Sequence, residues 1–240
     1  MMEDHFGQAV AARYDERTTS TAEVVDAIVD VLVEQAGDGP ALEFGIGTGR
    51  IALPLSARGV SLRGIDLSEA MVGRLRAKPG GDTIDVTIGD FATAQVEGAY
   101  SLVYLVANTI MNLTTQDEQV ACFENASAHL QSGGRFLIEV IVPGWQRLPP
   151  GERFQAFDVS PNHLGFDEID VVTQASVSHH YWIEDGRVEV FSPPFRYVWP
   201  AELDLMARIA GMSLRERWGG WSREPFTAES TRHVSVWEKH

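Results

Sequence analysis

The residues best suited to chemistry in this sequence surround a glycine-rich turn. Residues 41–50 read ALEFGIGTGR, an apolar run that continues into a G-x-G-x-G turn at Gly45, Gly47 and Gly49. Glycines at such a strand-to-helix corner adopt positive φ and let a ligand approach the main chain closely. Glu43, just upstream, favours an ammonium group and repels a pyrophosphate. The turn therefore predicts a binding site for a ligand that carries an ammonium group rather than a pyrophosphate.

A dinucleotide-binding interpretation fits this turn less well. It requires G-x-G-x-x-G, in which the last glycine relieves helix–sheet packing around a pyrophosphate at the helix N-terminus. Arg50 occupies that sixth position. The spacing therefore disfavours an NAD-dependent oxidoreductase, which we keep as the weaker alternative.

Two further carboxylates follow apolar runs in the same half of the chain. Asp66 ends the run at residues 61–65, and Asp90 follows the run at residues 84–88. In other doubly wound nucleotide sites, an acidic residue at the carboxyl end of a strand accepts hydrogen bonds from the ribose hydroxyls. Asp66 is placed to do this, or to act as a charge at the helix N-terminus beside Ser68.

The elements that must position these residues alternate between helix and strand from about residue 20 to residue 142. Capping boxes at Ser20-Thr21-Ala22-Glu23 and Thr115-Gln116-Asp117-Glu118 mark two helix starts. We expect Gly133-Gly134 to end the second of these helices. Strands are predicted over residues 41–44, 61–65, 84–88, 101–106 and 135–142. The alternation indicates an α/β, doubly wound sheet.

The second half of the chain has a different pattern. Residues 143–166 are rich in proline, glycine and aromatic residues without periodicity, which favours a long functional loop. Two strand-like runs, 170–182 and 188–199, flank an Asp185-Gly186 turn and predict an antiparallel β-hairpin inserted after strand five. A helix over residues 202–211 and strands over 213–218 and 233–238 then complete the sheet.

Composition excludes several classes of partner. The 240 residues carry a formal charge of −15, and no basic run offers a footprint for nucleic acid or an anionic membrane. We therefore expect a small-molecule partner. The single cysteine, Cys122, cannot form an intramolecular disulfide, which favours a reducing, cytoplasmic location. We expect its side chain to be buried as a small apolar group rather than to act in catalysis. The chain shows neither a leader pattern nor a run of transmembrane length.

Four successive motifs resemble those of class I S-adenosylmethionine-dependent methyltransferases. They cover residues 41–142 in the order typical of that family, and the resemblance implies a Rossmann-like, seven-stranded methyltransferase sheet with S-adenosylmethionine as cofactor. The motifs are Glu43-Phe44-Gly45-Ile46-Gly47-Thr48-Gly49, Gly64-Ile65-Asp66-Leu67-Ser68-Glu69-Ala70-Met71, Gly89-Asp90-Phe91 and Leu130-Gln131-Ser132-Gly133-Gly134-Arg135-Phe136.

The resemblance assigns cofactor-binding roles to residues of these motifs. It implies that Glu43 holds the methionine ammonium, that Asp66 holds the ribose, and that Asp90 accepts from the adenine amino group. Close backbone approach is implied at Gly45 and Gly47, and contact of backbone groups with the methionine portion at Leu105. Phe91 is expected beside the adenine ring, and Leu67 and Met71 are expected to pack around ribose and adenine. For the last two residues, plain helix core is an equal alternative.

The resemblance also implies a lid near the N-terminus. Tyr14, in Arg13-Tyr14-Asp15, resembles a lid aromatic that shields the sulfonium or hydrogen-bonds the nucleophile; packing on the sheet is the alternative. Asn108 is expected either to face the ligands or to stabilise a turn. The implied division is residues 1–142 for lid and cofactor core, 143–200 for an inserted substrate cap, and 201–240 for the end of the core sheet.

The acceptor chemistry is less well defined. If the acceptor arrives protonated, a base is required, and His180 is the candidate among His163, His179, His180 and His233. No metal site is predicted, because adjacent residues His179 and His180 of a strand face opposite ways. The resemblance favours methyl transfer to an O or N atom of a small-molecule metabolite or natural product. A cofactor-binding regulatory protein without turnover is the other alternative.

Aromatic residues concentrate outside the cofactor half. They are Trp145, Phe154, Phe157, Tyr181, Trp182, Phe195, Tyr197, Trp199, Trp218 and Trp221. An aromatic substrate pocket, the core of the hairpin, and a homodimer contact each explain this clustering.

Overall fold

Two β-sheets organise the chain in the computed structural model, which describes residues 4–17, 21–144, 148–184 and 186–240. The larger sheet has seven strands in the order β11-β12-β5-β4-β1-β2-β3. Its strands are β1 (Ala41–Phe44), β2 (Leu62–Asp66), β3 (Asp85–Ile88), β4 (Tyr100–Leu105), β5 (Leu130–Ile141), β11 (Met212–Trp218) and β12 (Arg232–Lys239). β1 to β5 pair in parallel, whereas β12 pairs antiparallel with both β5 and β11. The predicted doubly wound sheet with an antiparallel end is confirmed.

Six α-helices accompany the strands in the described residues. They are α1 (Gln8–Arg17), α2 (Ala22–Ala36), α3 (Ala52–Ala57), α4 (Glu69–Arg76), α5 (Gln116–His129) and α6 (Pro200–Ile209). The capping box at Thr115 is confirmed: its side chain accepts from the N–H of Glu118, whose carboxylate accepts from the N–H of Thr115. The other predicted capping box includes Ser20, which lies outside the described residues; α2 begins after Thr21.

The predicted end of α5 at Gly133-Gly134 was wrong. The helix ends at His129, and β5 begins directly at Leu130. The backbone of Gly133 has a positive φ of 74° within the strand, where the β4–β5 register is also irregular. These glycines therefore serve a bend at the start of β5 rather than a helix stop.

The smaller sheet is inserted between β5 and α6. Its strands are β6 (Phe154–Ser160), β7 (His163–Asp170), β8 (Ala175–Glu184), β9 (Arg187–Phe191) and β10 (Pro194–Arg196), and we call it the inserted sheet. The predicted hairpin is present as β8–β9, paired from His180↔Phe191 to Glu184↔Arg187; Asp185 of its turn lies outside the described residues. The long loop predicted over residues 143–166 was wrong, because β6 and the start of β7 occupy much of it.

The core packs on both faces of the large sheet. Phe123, Phe136 and Trp237 lie on the face covered by α5 and α6, whereas Leu32, Leu55 and Tyr104 lie on the face covered by α2 and α3. Cys122 is fully buried in the first group, as expected of a small apolar side chain. No helix of the described residues is long and apolar enough to cross a membrane.

Candidate active site

Two adjoining cavities lie at the carboxyl ends of β1, β2 and β4. We call the larger one the main cavity; it is lined by Asp4, His5, Phe6, Tyr14, Gly45, Gly47, Asp66, Leu67, Ser68, Met71, Phe91, Thr109, Asn112, Pro193 and Pro194. The side cavity is lined by Tyr14, Glu43, Gly45, Ile46, Gly47, Thr48, Arg50, Ile51, Val106, Ala107 and Thr109. Because Tyr14, Gly45, Gly47 and Thr109 line both, one elongated ligand can extend through the two cavities.

The glycine turn separates the cavities with bare backbone. Gly45, Gly47 and Gly49 have φ of 72°, 55° and 77°, which glycine adopts without strain. A Cβ on Gly45 would lie 2.6 Å from Thr109 Cγ2, and one on Gly49 would lie 2.1 Å from Leu75 Cδ1. Gly45 therefore keeps the cavity junction open, while Gly49 allows α4 to pack closely.

Asp66 faces the main cavity from the end of β2. Its Oδ2 accepts from the N–H of Gly47 at 2.6 Å, and its Oδ1 accepts from the N–H of Ser68 at 2.8 Å. Burial raises the pKa of Asp66, and the two N–H donors oppose that rise. The carboxylate is thus fixed by the glycine turn and by the start of α4, with its oxygens at the cavity wall.

Glu43 and Arg50 bring an acidic and a basic side chain to the side cavity. Glu43 is 3% exposed, and its Oε2 accepts from the Tyr104 hydroxyl at 2.8 Å. Burial raises the pKa of Glu43 to about 8, while the Tyr104 hydroxyl and the Arg50 guanidinium oppose the rise. A cation entering this cavity would compensate the cost of ionising Glu43.

Tyr14 reaches both cavities from helix α1, the segment predicted to form a lid. The next residue, Asp15, anchors that helix on the core through Thr48 Oγ1 at 2.6 Å and Lys78 Nζ at 2.7 Å. Burial raises the pKa of Tyr14, so its phenol stays neutral and keeps its proton. The predicted lid aromatic therefore lies at the junction of the cavities.

Several other predicted residues also reach the main cavity. Leu67, Met71 and Phe91 form part of its wall. Asp90 lies outside the lining, and its Oδ1 accepts from the N–H of Ala92 at 2.9 Å. Its expected contact with adenine stays a prediction.

For Leu105, the expected contact with the methionine portion is through the backbone, and it stays a prediction. The Leu105 side chain is fully buried in the core and lines neither cavity, whereas Val106 and Ala107 line the side cavity. Strand β4 ends at Leu105, so the residues just beyond the strand meet the ligand space. Asn108 stabilises the turn, because its Oδ1 accepts from the N–H of Ile141 at 2.8 Å.

His180 does not line either cavity. It lies on β8 in a stack with His163 and Trp182, with ring centroids 5.1–5.2 Å apart. His163 Nε2 is 3.1 Å from His180 Nδ1, and Asp158 Oδ2 is 2.6 Å from His163 Nδ1. Burial lowers the pKa of His180 to about 4. The residue predicted as a catalytic base therefore lies outside the walls of both cavities.

Sequence reasoning missed part of the wall. Arg50 was noticed only because it breaks the dinucleotide spacing, although a cation so near Glu43 was a usable signal. Thr109 and Asn112 follow β4, where open parallel sheets bind ligands, and this position could have identified them. Phe6 and Pro193 come from segments distant in sequence that no motif links to the site.

The fold and the acidic residues at the ends of β1 and β2 define a Rossmann-like, cofactor-binding enzyme. A family model described as a methyltransferase domain matches residues 41–134. The structure of the CcbJ methyltransferase from Streptomyces caelestis is similar with a TM-score of 0.88 and 34% identity, covering 99% of each chain. The chain belongs to the class I S-adenosylmethionine-dependent methyltransferases, and S-adenosylmethionine is its cofactor.

Two other relatives broaden the comparison. Cypemycin N-terminal methyltransferase from a Streptomyces species is 25% identical over 206 residues, 82% of each chain. CalS10, an amino pentose methyltransferase from Micromonospora echinaspora with S-adenosylmethionine bound, has a TM-score of 0.70 and 20% identity, covering 95% of this chain and 96% of its own. These similarities favour neither a dehydrogenase nor a regulator without turnover.

Proposed function

We propose that this enzyme transfers the methyl group of S-adenosylmethionine to a nitrogen atom of a small-molecule metabolite or natural product. The observation that carries the proposal is the junction of the two cavities at Tyr14 and Thr109. Glu43 and Arg50 line the side cavity on one side of that junction, and the Asp66 carboxylate lines the main cavity on the other. This arrangement complements a ligand with a zwitterionic end, a central reactive atom and a ribose.

The chain's residues divide the cofactor between the two cavities. In the side cavity, Glu43 would hold the ammonium and Arg50 would offer its positive charge to the carboxylate. In the main cavity, Asp66 would accept from the ribose hydroxyls, while Leu67, Met71 and Phe91 would pack around the nucleoside. The nearest main-chain groups are those of Gly45 and Gly47, which have no side chain to exclude the ligand.

The reacting centre lies beside Tyr14. Bound S-adenosylmethionine supplies a methyl group on a positively charged sulfur. An acceptor held by this chain's residues would receive that methyl group, so positioning of the acceptor and exclusion of water would supply most of the acceleration. Tyr14 orients the acceptor with its neutral hydroxyl, and Phe6 packs edge-on to it at 6.1 Å and excludes water.

Nitrogen fits this site better than oxygen. A neutral amine has a lone pair available without a base, whereas an alcohol must lose its proton during transfer. Among the described residues, the histidine that lines the cavities is His5, and the predicted candidate His180 lies outside them. The name of the cypemycin N-terminal methyltransferase supports a nitrogen acceptor.

The inserted sheet supplies the acceptor side of the main cavity. Pro193, just before β10, and Pro194, the first residue of β10, line that cavity. In addition, α1 ties the sheet to the core, since Arg17 donates to Glu189 at 2.7 Å. We propose that residues 143–200 cap the acceptor.

The test uses pairs of acceptors that differ only in the reacting group. Each pair contains an amino sugar, or an amino acid amide, and its hydroxyl analogue, and each is incubated with cofactor carrying a ¹³C-methyl group. The proposal predicts an N-methyl carbon resonance in the amine samples and none with the hydroxyl analogues. Methylation of the hydroxyl analogues at equal or higher rates would reject nitrogen as the target.

A further inference from the structure

The inserted sheet is a single layer whose two faces differ. Its inner face contacts the lid: the Arg17 guanidinium lies 3.7 Å from the centroid of the Trp182 ring, and Phe191 packs against Phe6 at 6.0 Å. The strand register places another set of side chains on the opposite face, which we call the outer face. Its apolar and aromatic members are Phe154, Val159, Leu164, Phe166, His179, Tyr181, Ile183, Val188 and Val190.

The outer face exposes large apolar side chains to solvent. Val159 is 78% exposed, and Val188, Val190 and Phe154 are 59%, 57% and 57% exposed. A sheet with an apolar face normally buries it against another layer. Because each Å² of exposed apolar surface costs about 25 cal/mol, this face favours association.

The charges on this face are arranged so that two copies can approach. The rows Val159–Leu164–Tyr181–Val190 and Ile183–Val188 consist of uncharged residues, although the whole chain carries −15. Acidic residues lie toward the other end of the strands, where Glu168 is ion-paired with Arg153 at 2.5 Å. A two-fold axis running across the strands would place these ends on opposite sides of an interface.

The area of the face supports a weak association with a second copy. Four strands spaced about 4.8 Å apart, over about six residues, give a plan area of roughly 400 Å². Pairing two such faces removes roughly 800 Å² of flat area from solvent, and the uneven surface of the side chains adds to this figure. A small specific interface buries roughly 1,200 Å². The expected dimer is therefore one that dissociates on dilution.

We propose that the outer face of the inserted sheet packs against the same face of a second copy of this chain. The two sheets stack about 10 Å apart as in an aligned β-sandwich, related by a two-fold axis. Since the inner face of the same sheet holds α1, dimerisation supports the cap from behind. The proposal does not depend on the identity of the methyl acceptor.

Sedimentation equilibrium of the full chain, from about 1 µM to about 100 µM, tests the proposal. The expected result is a mass that rises toward twice 26.4 kDa with concentration. Val190→Asp, and separately Val188→Asp, should weaken the dimer at least thirtyfold, because each places a charge in the uncharged region. Val172→Asp is the matched control, since Val172 is 88% exposed in the β7–β8 turn, between Asp170 and Ala175.

Folding of each variant is checked by circular dichroism and by binding of S-adenosylhomocysteine. Two results would overturn the proposal. One is a wild-type chain that stays monomeric at the highest concentration, including the case in which it binds phosphatidylcholine vesicles. The other is a dimer that folded Val190→Asp and Val188→Asp leave intact.

Discussion

The cofactor core and the inserted sheet hold their side chains in place by different means. In the core, main-chain geometry fixes the important groups, as when the N–H of Gly47 donates to Asp66 at 2.6 Å. In the inserted sheet, ring stacking and ion pairs fix the inner face, as in the stack of His163 on Trp182 at 5.1 Å. The difference indicates that a short backbone motif shapes the predicted cofactor site, whereas side-chain packing shapes the proposed acceptor side.

The largest effect should come from filling the glycine turn. Gly45→Ala is expected to lower the free energy of unfolding by about 3 kcal/mol, because the left-handed backbone and the contact with Thr109 both oppose a Cβ. Urea unfolding measures this change. Gly211→Ala is the control, since its φ is 76° and no atom lies within 4 Å of its Cβ. Equal losses in the two variants would show that the contact with Thr109 contributes nothing.

Removing the ribose carboxylate should be the next largest effect. Asp66→Ala is expected to weaken S-adenosylhomocysteine at least tenfold, or about 1.4 kcal/mol, since it removes the ribose acceptor and the partner of Gly47. Calorimetric titration gives the affinity. Asp85→Ala, at an exposed position on the neighbouring strand where the carboxylate pairs with Arg63 at 3.4 Å, should leave it unchanged. An unchanged affinity in Asp66→Ala would remove Asp66 from the ribose site.

The buried acid of the side cavity predicts a pH dependence. Burial raises the pKa of Glu43 to about 8, so the carboxyl is mostly protonated below that pH when no cation is present. Because an ammonium group requires the carboxylate, affinity should fall about fivefold from pH 8 to about pH 7. Titrations of S-adenosylhomocysteine across this range measure it. Glu43→Gln should abolish the dependence, and a slope that persists in this variant would assign it to another group.

The smallest effect is expected in the inserted sheet. His180→Ala should change the affinity for S-adenosylhomocysteine less than about twofold, because His180 lines neither cavity. The same titration measures it, with circular dichroism to confirm folding. A tenfold loss would mean that the stack of His163, His180 and Trp182 supports the cofactor site, and the contrast between the two regions would no longer hold.

The sequence predicted the elements and residues around the glycine turn well, because short motifs with fixed spacing mark them. The strand β1 was predicted with its observed bounds, 41–44, because an apolar run meets a glycine turn there. Tyr14, Glu43 and Asp66 all reach the cavities as expected. The predicted backbone contact of Leu105 stays a prediction, and its neighbours Val106 and Ala107, just beyond the strand, line the side cavity.

The sequence did not predict β6, because the alternation of apolar and polar residues is broken in that strand. Strand β6 carries apolar residues on both faces, and the β6–β7 register shifts between Ala156 and Asp158, so its period-two pattern is broken. Phe157 covers Gly165, at which a Cβ would lie 2.1 Å from the ring. Such a pairing across strands leaves no mark in either segment alone. Trp145, also assigned to the aromatic group, lies outside the described residues.

The most direct test of the account compares two ligands that differ by the amino acid end of the cofactor. S-adenosylhomocysteine carries that end and 5′-methylthioadenosine lacks it, so calorimetric titration of both into wild type and Glu43→Gln isolates the side cavity. If Glu43 holds the ammonium group, Glu43→Gln should weaken the affinity for S-adenosylhomocysteine about tenfold and leave the affinity for 5′-methylthioadenosine unchanged. Equal losses for the two ligands, or none for either, would contradict the placement of the cofactor across the two cavities.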